Sequence, residues 1–199
     1  MEQNPRSLEE CLLCSAIADS ASVKCGIENT PIFQTENFLV IPCVGPLVVG
    51  HVLVVTRSHL FSLSQVSPEA IAEYEALRDS VSHFVPGLLE AEHGATGTNC
   101  GGACVVHAHV HWIPNHSKFI DAFEGGFAKL YDGNELVLPQ SSVPYMMLRA
   151  NNRTVVYDGT DMISQMLRMI ICSEKSVDYD WRAVPKLHLI EESISYWRK

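Results

Sequence analysis

The amino-acid sequence predicts one compact α+β unit with a packed C-terminal extension, on three observations. Residues 37–41 and 51–55 are short runs of strand formers separated by Pro42, Gly45, Pro46 and Gly50, the pattern of two neighbouring antiparallel strands joined by a Pro/Gly connection. Ser67-Pro68-Glu69 then opens a long helix to about residue 91, with proline at its first helical position. Third, residues 106–114 alternate His107, His109 and His111 with Ala108, Val110 and Trp112, the period of two that a strand imposes.

The other elements follow in chain order. Residues 8–21 carry apolar positions at helical spacing, with Ser7 as N-cap and Glu10 completing a capping box. Residues 94–102 read as a Gly-rich loop feeding the histidine strand, and 118–142 as loop-rich. Two strands are expected at 145–149 and 154–157, flanking the Asn151-Asn152 turn signal, and helices at 161–172 and 185–197. Trp181 and Trp197 are expected as core anchors.

Composition narrows the functional classes. With 199 residues, 47% of them hydrophobic, the chain is long enough for one well-buried core. A net charge of −9 argues against binding long nucleic acid through a basic surface. Charge is unevenly spread: residues 1–117 hold 4 Lys/Arg and 12 Asp/Glu, net −8, whereas 118–199 hold 10 and 11, net −1. An anionic ligand near the histidines would therefore need imidazoles, backbone N–H groups, a metal, or cations from the C-terminal region folding back. Seven cysteines, an odd number, with two in Cys11-Leu-Leu-Cys14, favour reduced or metal-bound thiols over a secreted disulfide framework. With no signal-peptide pattern and no run long enough to span a bilayer, the expectation is a cytoplasmic protein without a membrane partner.

In an extended strand, the three histidines would line one face, neighbours about 6.6 Å apart. Burying three such rings without a use would cost stability. Taken with Gly50-His51-Val-Leu-Val, Arg57-Ser-His59 and the trailing Trp112-Ile113-Pro114, the run resembles the histidine-triad (HIT) superfamily of nucleotide hydrolases and transferases. The resemblance covers roughly residues 8–116 in order. It implies a HIT-like fold over residues 1–117, an antiparallel sheet of about five strands with a long helix packed on it, and an α/β extension over 118–199.

The resemblance also implies roles. His109 would be the nucleophile that forms a nucleotidyl-histidine intermediate, His111 would contact phosphate oxygens or help the leaving group depart, and His51 would approach the same phosphate from a neighbouring strand. Wider relatives that transfer to sugar phosphates carry Gln at the third position, so His111 leans the reading to a hydrolase. Such an enzyme would cleave a nucleoside monophosphate, AMP first among them, from a phosphoramidate, acyl, sulfate or dinucleoside polyphosphate substrate. A nucleotidyltransferase to another acceptor, a nucleotide-binding sensor or scaffold, and a metal or redox protein built on the cysteines are the rivals.

Phosphate donors are expected from the turn before the triad, at Gly101, Gly102 and Cys104. Ala103 and Cys104 replace the Gln and Ser or Thr of better-known branches, and His93 stands where the preceding loop of those branches has Asn. Cys11, Cys14, His59 and His107 would make a Cys₂His₂ set for structural Zn²⁺, as in several bacterial relatives; buried thiols are the alternative. Arg149, Arg153 and Arg168, with Gln165, are the candidates to bring cations to the site, Arg168 foremost. Family members often form homodimers, so a homodimer is among the expected assemblies.

Overall fold

A computed structural model describes residues 11–22, 25–97, 105–123, 126–140, 142–174 and 186–198. Along the chain run α1 (Leu12–Ser20), β1 (Phe33–Gln34), β2 (Phe38–Pro42), β3 (Val52–Thr56), α2 (Pro68–Ser82), β4 (Leu89–Gly94) and β5 (His109–Ile113). They continue into α3 (Phe119–Ala122), β6 (Lys129–Gly133), β7 (Tyr145–Ala150), β8 (Arg153–Asp158), α4 (Met166–Glu174) and α5 (Leu187–Trp197). The strands form one antiparallel sheet in the order β1-β2-β3-β5-β4-β7-β8-β6. Among the described residues there are eight strands where about five were expected, because β7, β8 and β6 extend the sheet through β4.

Three of the eight, the two-residue β1 and the longer β4 and β6, were not expected. The helix opening at Ser67 is α2, and the Ser67 hydroxyl caps it by accepting from Ala70 N–H, but α2 stops at Ser82. Pro86 disfavours helix at the residue before it, and Gly87 turns the chain at φ +56°. Residues 89–94 then become β4, hydrogen-bonded to β5 on one side and β7 on the other. Leu, Glu and Ala are good helix formers; the ladder on both edges outweighs that preference. Residues 129–133, expected as loop, are edge strand β6, whose mostly exposed side chains hide its alternation. Expected helices shorten or shift to α1, α4 and α5. The capping box at Ser7 and Glu10, Trp181, and the turn holding Gly101, Gly102, Ala103 and Cys104 lie outside the described residues.

The sheet is the middle layer. On one side α2 and α5 bury Phe38, Val40, Val52, Val54, Tyr74, Val110, Trp112 and Trp197 together. Trp197 is a core anchor as expected, its ring centroid 5.8 Å from that of Trp112. On the other side, α1 packs Leu13 and Ala16 on Leu39, Ile41, Leu53 and Val55, while α4 packs Leu167 and Ile171 with Leu89, Ala91, Ile113 and Met146. Burying each such valine, leucine, isoleucine or methionine contributes roughly 1.5–3 kcal/mol. Both flanking strands match β5 residue for residue: Leu53 and Ala91 lie opposite His111, and Val55 opposite His109. His109 and His111 therefore face the α1/α4 side, while Val110 and Trp112 face α2. No helix among the described residues is long and apolar enough to cross a membrane.

Candidate active site

The three histidines divide between two places. His107 precedes β5, and its Nδ1 lies 3.4 Å from Cys11 Sγ and 3.5 Å from Cys14 Sγ. Cys14 Sγ is 3.1 Å from His59 Nδ1, and all four ligand atoms fall within 4.8 Å of one another. Adjacent ligands around a tetrahedral metal at ordinary Zn–S and Zn–N distances sit about 3.3–3.8 Å apart, so these residues could hold such an ion with small adjustment. His107 Nε2 lies 2.7 Å from the Thr56 carbonyl, which can only accept, so the proton is on Nε2 and Nδ1 presents its lone pair to the cysteines. Burial lowers the His107 pKa to about 4, keeping the ring neutral. Burial and the neighbouring Cys11 raise the Cys14 thiol to about 11.

His109 and His111 stay together on β5, ring centroids 5.1 Å apart, with His51, the residue just before β3, beside them. The hydrogen bonds fix every proton in this group. His109 Nδ1 is 2.6 Å from the carbonyl of His107 and must donate to it, which leaves Nε2 as the lone-pair nitrogen. Leu47 N–H donates to His51 Nδ1 at 3.1 Å, so His51 carries its proton on Nε2 and donates it to His111 Nδ1 at 2.9 Å. His111 therefore holds its own proton on Nε2. Burial pushes all three imidazoles below their ordinary range, and the positive charge of Arg168 adds to it. The rings are neutral at physiological pH.

His51 is held from behind by the C-terminal helix. The preceding Gly50 donates its N–H to Ser193 Oγ and accepts from Trp197 Nε1–H, both at 2.8 Å. Gly50 sits at φ +86°, and an added Cβ would stand 2.9 Å from Pro114 Cγ and 3.0 Å from Tyr196. The Gly-His pair is thus a close-packing requirement as well as a backbone one.

A cavity opens over the His109/His111 face, walled by α1, the β2–β3 connection, β4 and α4. Leu12, Leu13, Ala16, Met146, Met166 and Leu167 make it largely apolar, with His93, Gln165 and Arg168 as polar lining. His93 is placed on β4, in a strand rather than in a loop. Of the three arginines expected to bring cations, only Arg168 reaches the cavity, donating to the Gly45 carbonyl and, at 2.9 Å, to Cys43 Sγ. Arg149 is turned to the α2 side by bidentate hydrogen bonds to Glu75 at 2.5 and 2.8 Å. Arg153 pairs with Asp132 and Asp121 at the surface. Cys43, Asn29 and the apolar α1 and α4 wall were not anticipated; they are contributed by a connection and two helices whose packing no local pattern encodes.

Residues 25–118 match the HIT domain family model. Over that segment, just under half of its length, the chain is similar to the HIT domain. An uncharacterized HIT-like protein of Mycobacterium tuberculosis is 27% identical over 107 residues, 52% of this chain and 70% of the relative. Protein hit of Bacillus subtilis is 24% identical over 113 residues, 55% of this chain and 74% of the relative. Among solved structures, a Zn-bound histidine triad family protein from Mycobacterium smegmatis aligns with a TM-score of 0.41 at 19% identity, covering 84% of this chain and 97% of that one. The family model begins after α1 and ends before α3, so Cys11, Cys14 and Arg168 stand outside the matched HIT segment.

Proposed function

We propose that this HIT protein is a nucleotide hydrolase that cleaves a nucleoside monophosphate, AMP first among candidates, through a nucleotidyl-histidine intermediate on His109. The observation that carries the reading is the proton assignment. A nucleophilic imidazole needs a neutral ring with one lone pair free and the other nitrogen bonded to an acceptor, and His109 meets all three conditions. His109 Nε2 forms the N–P bond as the bond from phosphorus to the leaving group breaks. The His107 carbonyl stabilises the charge that builds on His109 Nδ1–H. His111 Nε2–H, oriented by the hydrogen bond from His51, donates to a phosphate oxygen or to the departing group. Water then attacks the phosphorus and releases His109 unchanged. Arg168 offers its guanidinium to the anion, and the apolar wall from α1 and α4 suits a base.

Cys11, Cys14, His59 and His107 would hold structural zinc, joining α1 to the start of β5 and so fixing the carbonyl that His109 uses. The test is incubation with an adenosine phosphoramidate, followed by rapid quench and mass spectrometry. The wild type should release AMP and show an AMP adduct, and His109→Ala should show neither. Release that survives in His109→Ala overturns the mechanism; nucleotide binding without release in the wild type moves the reading to a sensor.

A further inference from the structure

Beside the nucleophile lies a second group with metal-ligand chemistry. Cys43, in the connection after β2, offers a ligand atom within 4.8 Å of those of His51 and His111. A thiolate with two neutral imidazoles is a three-residue set that leaves a fourth position open, and its softness suits zinc-like cations. Cys43 is buried yet lines the cavity, so an ion entering from the substrate side meets it directly. We infer that Cys43, His51 and His111 form a second, weaker soft-metal site whose occupancy switches the histidine pair off.

Two features set its strength and effect. The Cys11 site brings two thiolates to a dication and is neutral when filled. The Cys43 site brings one thiolate, with the Arg168 guanidinium 2.9 Å from the sulfur, so a filled site keeps excess positive charge in a poorly screened place. The second ion should therefore bind well after the first. Its effect follows from the proton assignment, and to that extent the inference rests on the proposed hydrolase reading. His111 Nδ1 accepts from His51, and His111 Nε2 carries the donor proton. The His51 lone pair is held by Leu47 N–H and that of His111 by His51, so an ion bound by both imidazoles must displace these hydrogen bonds or the His111 Nε2 proton, and coordination through either His111 nitrogen removes His111 from its donor role.

Equilibrium dialysis of the purified protein against rising free Zn²⁺ and, in parallel, Co²⁺ tests the binding without reference to any substrate. The expected result is two equivalents per chain for the wild type and one each for Cys43→Ser and Cys43→Ala. Two cysteine variants guard against a folding artefact in either, with circular dichroism as the check. Cys11→Ser should lose the tight equivalent and keep the weak one. The second Co²⁺ should bring thiolate-to-cobalt absorption that both Cys43 variants lack. In the phosphoramidate assay, release by the wild type should fall at least tenfold as the second equivalent fills, while the rate of Cys43→Ser, whatever its zinc-free level, should not change over the same zinc range. A single equivalent in the wild type, or a second one retained in both Cys43 variants, overturns the site. Two equivalents, the second of them Cys43-dependent, with undiminished release overturn the switch. A protein inactive at every zinc level refutes the hydrolase reading and the switch, with the metal stoichiometry still deciding the site.

Discussion

Glu92→Gln should make this protein more stable above neutral pH and remove part of its pH dependence. Glu92 points from β4 to the α2 side and is 1% exposed. It accepts from Leu63 N–H at 2.7 Å and from the Tyr145 hydroxyl. Both bonds favour the charged form, yet burial outweighs them and raises the pKa from 4.5 to about 7. The folded state therefore binds this proton more tightly than the unfolded chain. Stability from Glu92 is full below about pH 4.5, declines through the window from 4.5 to 7, and is gone above it. The shift of about 2.5 units corresponds to roughly 3 kcal/mol between the two ends, at 1.36 kcal/mol per unit. Glutamine keeps an oxygen for Leu63 N–H and an amide that can donate to the Tyr145 oxygen, so it loses little of the hydrogen bonding. Urea unfolding of both proteins, followed by tryptophan fluorescence at pH 5, 6, 7 and 8, isolates the effect, because the neutral histidines contribute equally to each. The stability difference should move in favour of Glu92→Gln by about 2–3 kcal/mol between pH 5 and pH 8. A difference that stays flat with pH would refute the argument.

Two further outcomes follow from the site. Arg168→Ala should raise KM for a phosphoramidate about tenfold, as expected for loss of one charged hydrogen-bond donor to an anion; unchanged kcat/KM in steady-state kinetics would take Arg168 out of the binding site. Gly50→Ala combines φ +86° with a Cβ 2.9 Å from Pro114 Cγ, which should cost about 2 kcal/mol or more and lower Tm by several degrees in calorimetry.

The pairing of β2 with β3 was legible because Val, Leu and Ile crowd two short runs around a Pro/Gly connection. So was the facing of β5, where the alternation of His109 and His111 with Val110 and Trp112 fixes the two sides. β4 was not legible: Leu89, Glu90, Ala91 and Glu92 suit a helix, and Glu90 and Glu92 mark an exposed face in any local reading. Their burial depends on partners far along the chain. Glu90 takes hydrogen bonds from the Tyr74 hydroxyl at 2.5 Å and from Arg78 at 2.9 Å, and Glu92 is met by Tyr145.

The candidate site divides along the same line. The alternation of His107, His109 and His111 and the CxxC pair were legible from spacing, because the period of a strand and the ligand preferences of cysteine and histidine are local properties; His51 and His59 were marked by the resemblance to the histidine-triad superfamily, and Arg168 by the shortage of positive charge in residues 1–117. Which histidine nitrogen carries a proton was decided only by the tertiary structure. That depends on the His107 carbonyl, the Thr56 carbonyl and Leu47 N–H, backbone groups whose positions no side-chain pattern encodes. Cys43 beside His51 and His111, and Arg168 rather than Arg149 or Arg153 in the cavity, are likewise products of packing: α4 has to fold back across the sheet before a residue 125 positions away in sequence can touch Cys43.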